Sequence, residues 1–308
     1  MPTPYDLIGD IHGHADELIN LLEHLGYEDS TTGYRHPSRK AVFLGDFIDG
    51  GDHLYQHRKL LDTVIPMVDN GHALAVMGNH EFNALAFHTQ HQGEPLRPHI
   101  KKNIEQHQTF INEYPNDCED KARVLEFFYR LPLLLELDGL RVVHACWHDT
   151  HIATLREKTE NNCLTKELLI EASVSGTPAY DAIEVILKGI EVELSDGITF
   201  KDKRGHERKD VRVAWWNSEA TTLGEVAVPF DLNIGTSAQL PIPDFVPRYA
   251  TENPPCFIGH YWMTGEPEPL TSNVACLDYS IAKEGKLVAY RWDGEQTLNS
   301  DNFTYRVN

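Results

Sequence analysis

What this chain has little of sets its class. Its 308 residues hold five cysteines (Cys118, Cys146, Cys163, Cys256, Cys276), odd in number, scattered and never in a CxxC pair. That excludes a disulfide frame and a zinc ribbon, and reads as reduced thiols in a cytoplasmic protein. Basic residues are scarce: 27 Lys and Arg stand against 47 Asp and Glu, a net charge of −20. A field of that sign repels phosphate backbones and anionic lipid, so neither nucleic acid nor a membrane is expected as a partner. No apolar run approaches the ~18 residues of a membrane span. The opening MPTPYDLIGD has neither the basic nor the apolar region of a secretory leader, so none is expected. There are no internal repeats, heptads or low-complexity tracts. What remains is a chain long enough to bury about three-quarters of its unfolded surface, with one compositional oddity: 17 histidines, several beside Asp and Gly.

Strand-like and helix-like stretches alternate through the first third. Residues 5–9 form a short run that stops at Asp10, and from Ala15 the spacing of Leu18, Ile19, Leu21, Leu22 and Leu25 is helical, with Gly26 placed to end it. KAVFLG (40–45) and ALAVMG (73–78) are further runs ending in Gly, with a helical stretch at 57–68 between them. This rhythm predicts an α/β sheet with functional residues at the carboxyl ends of its strands. RVVHA (141–145), residues 255–259 and KLVAYRW (286–292) are three later strands. The whole of 1–308 is expected to be one domain with insertions at about 83–130 and 149–252. The second insertion carries a basic cluster at 201–209, the run Val211–Trp216 and a Pro-rich tail. It reads equally as a cap over sheet edges and as a substrate-facing wall.

The chemistry collects at five strand ends. These are Gly9-Asp10-Ile11-His12-Gly13, Gly45-Asp46-Phe47-Ile48-Asp49-Gly50-Gly51, Gly78-Asn79-His80-Glu81, His144 in VVHAC, and Gly259-His260-Tyr261-Trp262. Asp10 and His12 are two apart and point the same way in extended chain. Carboxylate, imidazole and amide oxygen converging on one rim suit a divalent metal such as Mn, Fe or Zn. Each piece alone is ordinary turn chemistry. All five together, each after an apolar strand, are not.

In these motifs the chain resembles the calcineurin-like metallophosphoesterases. GNHE and GDxxD are similar to the phosphoprotein-phosphatase branch and its bacterial relatives, which include the symmetrical diadenosine tetraphosphatases. The resemblance implies an α/β fold of two mixed sheets packed face to face with helices outside, and two divalent metal ions. It places Asp10 and His12 on the first metal, Asp46 on both, and Asn79, His144 and His260 on the second. It makes His80 the general acid, oriented and kept cationic by Asp49. The activity it implies is hydrolysis of phosphate monoesters, phosphoprotein side chains included, by a metal-bridging hydroxide. The alternatives are symmetrical hydrolysis of a dinucleoside polyphosphate and, further off, a metal-binding scaffold without turnover. The substrate would be a phosphorylated small molecule, nucleotide or protein.

One departure matters. The family's second motif usually reads GDxxDRG, and here Gly50 stands where the phosphate-clamping arginine would be. Arg212, on a strand two residues before Ala214-Trp215-Trp216, is the candidate for the missing bidentate fork, against a weak ion pair on the cap surface. The remaining histidines carry plainer expectations. His14 fits a phosphate contact or a polar helix start. His148 and Asp149 are candidates to orient ligands. His53, His57, His88, His91, His99 and His107 read as solvated, and Trp215 and Trp216 as packing.

Overall fold

Tyr5–Ile8 is a strand with all four side chains buried, and its position at the centre of a sheet explains why. Leu7 packs with Val42, Val288 and Tyr290 against Leu140, Val142, Phe257 and Ala275 from a second sheet. Ile8, pointing the other way, joins Leu18, Leu22, Phe43 and Leu61 under two helices. The computed structural model describes residues 3–50, 56–115, 119–201, 207–230 and 232–306. The first sheet has six strands. Asp278–Tyr279, Lys286–Trp292, Tyr5–Ile8, Lys40–Phe43 and Ala73–Ala75 lie side by side, and Phe303–Tyr305 also pairs with Lys286–Trp292. Tyr5–Ile8, Lys40–Phe43 and Ala73–Ala75 run parallel, whereas Lys286–Trp292 is antiparallel to the first of them. The second sheet runs Val274–Cys276, Cys256–Ile258, Leu140–Val143, Leu134–Leu137 and is likewise mixed.

The result is two mixed sheets face to face with helices outside, as the resemblance implied. Helix Ala15–Leu25 buries Leu18, Leu21, Leu22 and Leu25 and ends at Gly26, whose φ of 93° completes a left-handed cap. Helix His57–Asp69 covers the same face through Leu60, Leu61, Val64 and Ile65. Helix Asn79–His88 begins on the GNHE motif itself, so the motif lies in its first turn.

Residues 83–130, expected as the first insertion, hold helices Lys101–Gln106, Gln108–Glu113 and Glu119–Arg130. Residues 149–252, expected as the second, hold helices Asp149–Arg156, Lys166–Ala172 and Pro178–Lys188, then a small antiparallel sheet of Glu191–Glu193, Asp210–Val213 and Ala227–Val228. Thr165 and Thr177 cap the latter two helices, each accepting a backbone N–H at 3.1 Å. Most of the basic cluster, residues 202–206, lies outside the described residues. Trp215 and Trp216 are packing residues, as expected, and their packing has direction. The Trp215 indole N–H donates to Ala145 O at 3.0 Å, and Trp216 meets Tyr261 edge-on at 4.7 Å. The insertion is thereby fastened to the two strand ends that carry His144 and His260. Among the described residues no helix is long and apolar enough to cross a membrane, and Cys146, Cys163, Cys256 and Cys276 are free thiols.

Candidate metal centre

Asp46 is the middle of the site. It follows strand Lys40–Phe43 in a left-handed conformation (φ 50°) and is 2% exposed. Its carbonyl accepts the N–H groups of Ile11 and His12, which locks the first motif onto the second. Its carboxylate accepts His80 N–H at 3.0 Å through Oδ1. Oδ2 lies 3.4 Å from His144 Nε2 and 3.9 Å from both His12 Nε2 and His80 Nε2. Burial alone would raise this carboxyl, but His144 and then His80 outweigh it and hold Asp46 well below the ordinary range. For His144 the balance runs the same way. Burial opposes its charge, and Asp46 beside it raises the ring to about 10.

The two sheets are tied together at this rim. His144 Nδ1 donates to Leu44 O at 2.7 Å, across from the second sheet to the first, which leaves Nε2 facing Asp46 and Asn79 Oδ1, the latter at 3.2 Å. His260 N–H donates to Asp10 Oδ2 at 3.0 Å, joining the other pair of strand ends. His12, Asp46, Asp49 and His260 have φ of 49°, 50°, 59° and 69°. Non-glycine residues in that region cost on the order of 1 kcal/mol or more each, and such strain concentrates where function needs the geometry. Gly78 and Gly259 permit close approaches at the rim: a Cβ would sit 2.2 Å from Asp46 Oδ1 at the first and 2.0 Å from Asp10 Oδ1 at the second.

The donors fit two divalent cations. His12, Asp46 and His80 offer ligand atoms within 4.8 Å of one another, as do Asp46, His144 and His260, so the two groups share Asp46. Buried Asp10 Oδ1 and His260 Nε2 have no hydrogen-bond partner among the described residues. Asp10 is raised well above a normal carboxyl, by burial first and by neighbouring Asp278 second. A dry rim with several carboxylates and unused imidazole nitrogen is a poor place for protons alone and a good one for hard or borderline cations. The structure therefore brings Asp10, His12, Asp46, Asn79, His80, His144 and His260 together, with Asp49 at their edge.

Several expectations need correcting. Asp49 gives its carboxylate to His107, not to His80: His107 Nδ1 donates to Asp49 Oδ2 at 2.6 Å. Burial pushes His80 down to about 4, against the pull of Asp46 and Asp49. His57 and His107, read as solvated, are 1% and 0% exposed, and His57 Nε2 accepts Asp49 N–H at 2.7 Å. His148 and Asp149 make no hydrogen bond to the candidate ligands among the described residues. His148 Nε2 donates to Phe245 O at 3.1 Å, and Asp149 accepts the Trp147 indole N–H at 3.0 Å. His53 lies outside the described residues. His14 opens helix Ala15–Leu25 with Nδ1 3.6 Å from Glu17, the polar helix start of its two readings.

The structure also explains Gly50. Its φ is +86°, and a Cβ there would lie 2.4 Å from His12 Nδ1, so no side chain can stand where the family's arginine does. Arg212 lies beside the rim. Its guanidinium carbon is 5.7 Å from the Tyr261 ring centroid, its nearest carboxylate is Glu191 at 3.7 Å, and its buried Nε has no hydrogen-bond partner among the described residues.

One residue that ties the motifs together was read only as a helix-start carboxylate. Glu81 is fully buried and accepts three backbone N–H groups, from Asp46 (2.9 Å), Phe47 (2.9 Å) and Gly78 (3.0 Å). It fixes the second and third motifs to each other. Burial, with the charge of Asp46, pushes Glu81 up to about 8 against those donors.

Five metal-suited strand ends on a two-sheet sandwich define a phosphoesterase class. Residues 3–162, just over half of the chain, match the family model of the calcineurin-like phosphoesterases, and the chain belongs to that family. It is accordingly a metal-dependent phosphoester hydrolase, of a family that works with a dinuclear metal centre. The chain is 29% identical over 179 residues to the bis(5'-nucleosyl)-tetraphosphatase PrpE [asymmetrical] of Halalkalibacterium halodurans, covering 56% of this chain and 70% of that one. It is 31% identical over 182 residues to the protein of the same name from Anoxybacillus flavithermus, with the same coverage. A solved structure described as a putative diadenosine tetraphosphatase aligns over 100% of this chain and 96% of its own, with a TM-score of 0.48 and 14% identity.

Glu81→Gln turns one acceptor oxygen into a donor facing an amide N–H. The expected outcome is a loss of about 1–3 kcal/mol of stability, seen in thermal denaturation, together with weaker Mn²⁺ binding by calorimetry. Unchanged stability and affinity would show that Glu81 does not hold the Asp46 loop.

Proposed function

We propose that this chain hydrolyses phosphate monoesters, phosphoprotein side chains included, in the cytoplasm and with manganese as a working metal. The observation that carries this reading is the pair of donor groups sharing Asp46. Asp10, His12, Asp46, Asn79, His144 and His260 would hold two divalent cations, with Asp46 common to both. Bound there, the cations supply Lewis acidity toward a phosphoryl oxygen and a water of lowered pKa. His80 presents Nε2 at the rim beside Asp46 and would hand its proton to the leaving alkoxide. A phosphate dianion at the rim adds the negative charge that favours the protonated ring. Asp49 would steady His80 electrostatically from behind. Arg212 would take phosphate oxygens with the planar fork that Gly50 cannot carry.

A second reading is hydrolysis of dinucleoside polyphosphates. It is favoured by the relatives named as asymmetrical tetraphosphatases, so cleavage away from the midpoint is its natural form, in place of the symmetrical cut expected from the motifs.

A panel of p-nitrophenyl phosphate, its bis-ester and diadenosine tetraphosphate with Mn²⁺ separates the readings. Turnover is expected on the monoester and to vanish on chelation; exclusive turnover of the tetraphosphate selects the second reading. His80→Asn should lose about 10²–10⁴ in rate on phenyl phosphate and much less on the nitrophenyl ester, whose leaving group needs little protonation. Equal losses on both would remove His80 as the acid.

Arg212→Ala should cost about 10²-fold in kcat/KM, and Arg212→Lys nearly as much, because a point charge does not reproduce the fork. Activity of Arg212→Ala within a few-fold of the parent would place Arg212 outside the site.

A further inference from the structure

The first insertion reaches the site with a side chain that no strand-end motif contains. His107 lies where helices Lys101–Gln106 and Gln108–Glu113 meet, and it is fully buried. Its ring stacks on Phe110 (4.7 Å between centroids, 16° between planes) and rests against Phe87 at 5.1 Å. Nδ1 donates to Asp49 Oδ2 at 2.6 Å, while Nε2 is 3.0 Å from His88 Nε2. Both ring nitrogens are therefore engaged, and the aromatic slot fixes the plane of the ring.

Six residues on, Glu113 reaches the neighbouring segment. Its carboxylate accepts His57 N–H at 3.1 Å and Arg58 N–H at 2.8 Å, capping helix His57–Asp69, whose own N-cap Gln56 makes no capping bond. His57 Nε2 in turn accepts Asp49 N–H at 2.7 Å. The Asp49 carbonyl faces His12 Nδ1 at 3.1 Å. Asp49 is thus gripped at N–H and at one carboxylate oxygen by groups from this side of the molecule. Its other oxygen, Oδ1, is buried, makes no hydrogen bond among the described residues and lies 3.6 Å from His57 Nε2. A carboxylate hydrogen-bonded to an imidazole in an aromatic slot carries a desolvation penalty that apolar side chains would avoid, which points to work at Asp49.

We propose that His107 is a positioning residue for phosphoester hydrolysis: it holds the Asp49 carboxylate by Oδ2 and so fixes that carboxylate as the buried negative charge behind His80. The first insertion is then part of the reaction machinery. This rests on the reading of Asp49 as the group behind His80, and the test separates the two.

The test compares three substitutions at His107 by kcat and KM on phenyl phosphate with Mn²⁺, with thermal denaturation alongside. In His107→Asn the amide nitrogen stands where Nδ1 was and keeps the donor to Asp49. His107→Gln places its donor at the Nε2 position and loses Asp49, and His107→Leu loses both. The expected result is His107→Asn within a few-fold of the parent in kcat. His107→Gln and His107→Leu should be down about 10–100-fold, with KM little changed and no further loss when Asp49→Asn is added. A downfield imidazole proton in the NMR spectrum should vanish in both His107→Gln and Asp49→Asn. If His107→Leu does not fold, the Asn and Gln pair decides. His107→Gln matching His107→Asn in kcat, beside a damaged Asp49→Asn, would overturn the role of His107 and leave that of Asp49. Full activity of Asp49→Asn would overturn both.

Discussion

The buried negative charge of Asp46 is the constraint on which the rest of the site depends. A carboxylate removed from water must be answered by positive charge or by hydrogen bonds. Here it meets three imidazoles within 3.9 Å and the N–H of His80. Glu81 then fixes its backbone through the three amides that join the second and third motifs. The positive-φ backbone at His12, Asp46, Asp49 and His260 lies around this carboxylate, where such strain tends to collect.

Because the donors come from both sheets, the centre exists only while the sandwich is closed. The apolar layer of Leu7, Val42, Val142, Phe257 and Tyr290 sets the sheets face to face. At its upper edge, His144 to Leu44 and His260 to Asp10 convert that packing into a fixed rim. The insertions extend the same logic. Trp215 and Trp216 brace the strand ends of His144 and His260 from one side, and His107 and Glu113 brace the Asp49 segment from the other.

Much of this was legible in the sequence, for a local reason. Strands such as Tyr5–Ile8 and Lys40–Phe43 are short apolar runs that stop at Gly and Asp, and the candidate ligands lie just past strand ends of this kind or, for His144, directly after the apolar run. The family resemblance supplied the sandwich and the division of ligands. What was not legible is long-range. Glu81 looks like any first-turn carboxylate until its three donors, two of them 34 and 35 residues away, are seen. The pairing of Asp49 with His107 spans 58 residues, too far for any local pattern to show. A signal existed for His107 in the spacing of Ile104, His107, Phe110, Ile111 and Tyr114, which puts the histidine on the apolar face of a helix. His57 likewise precedes Leu60 and Leu61 at helical spacing. The Gly50 departure needed the structure, since only the +86° φ and the nearness of His12 show why arginine is excluded there.

The central claim is that Asp46 is shared by two cations. Anomalous diffraction from crystals equilibrated with Mn²⁺ tests it most directly. Two peaks about 3.5–4 Å apart are predicted on either side of the Asp46 carboxylate, one toward Asp10 and His12 and the other toward Asn79, His144 and His260. A single peak, or two that do not both contact Asp46, would contradict the account.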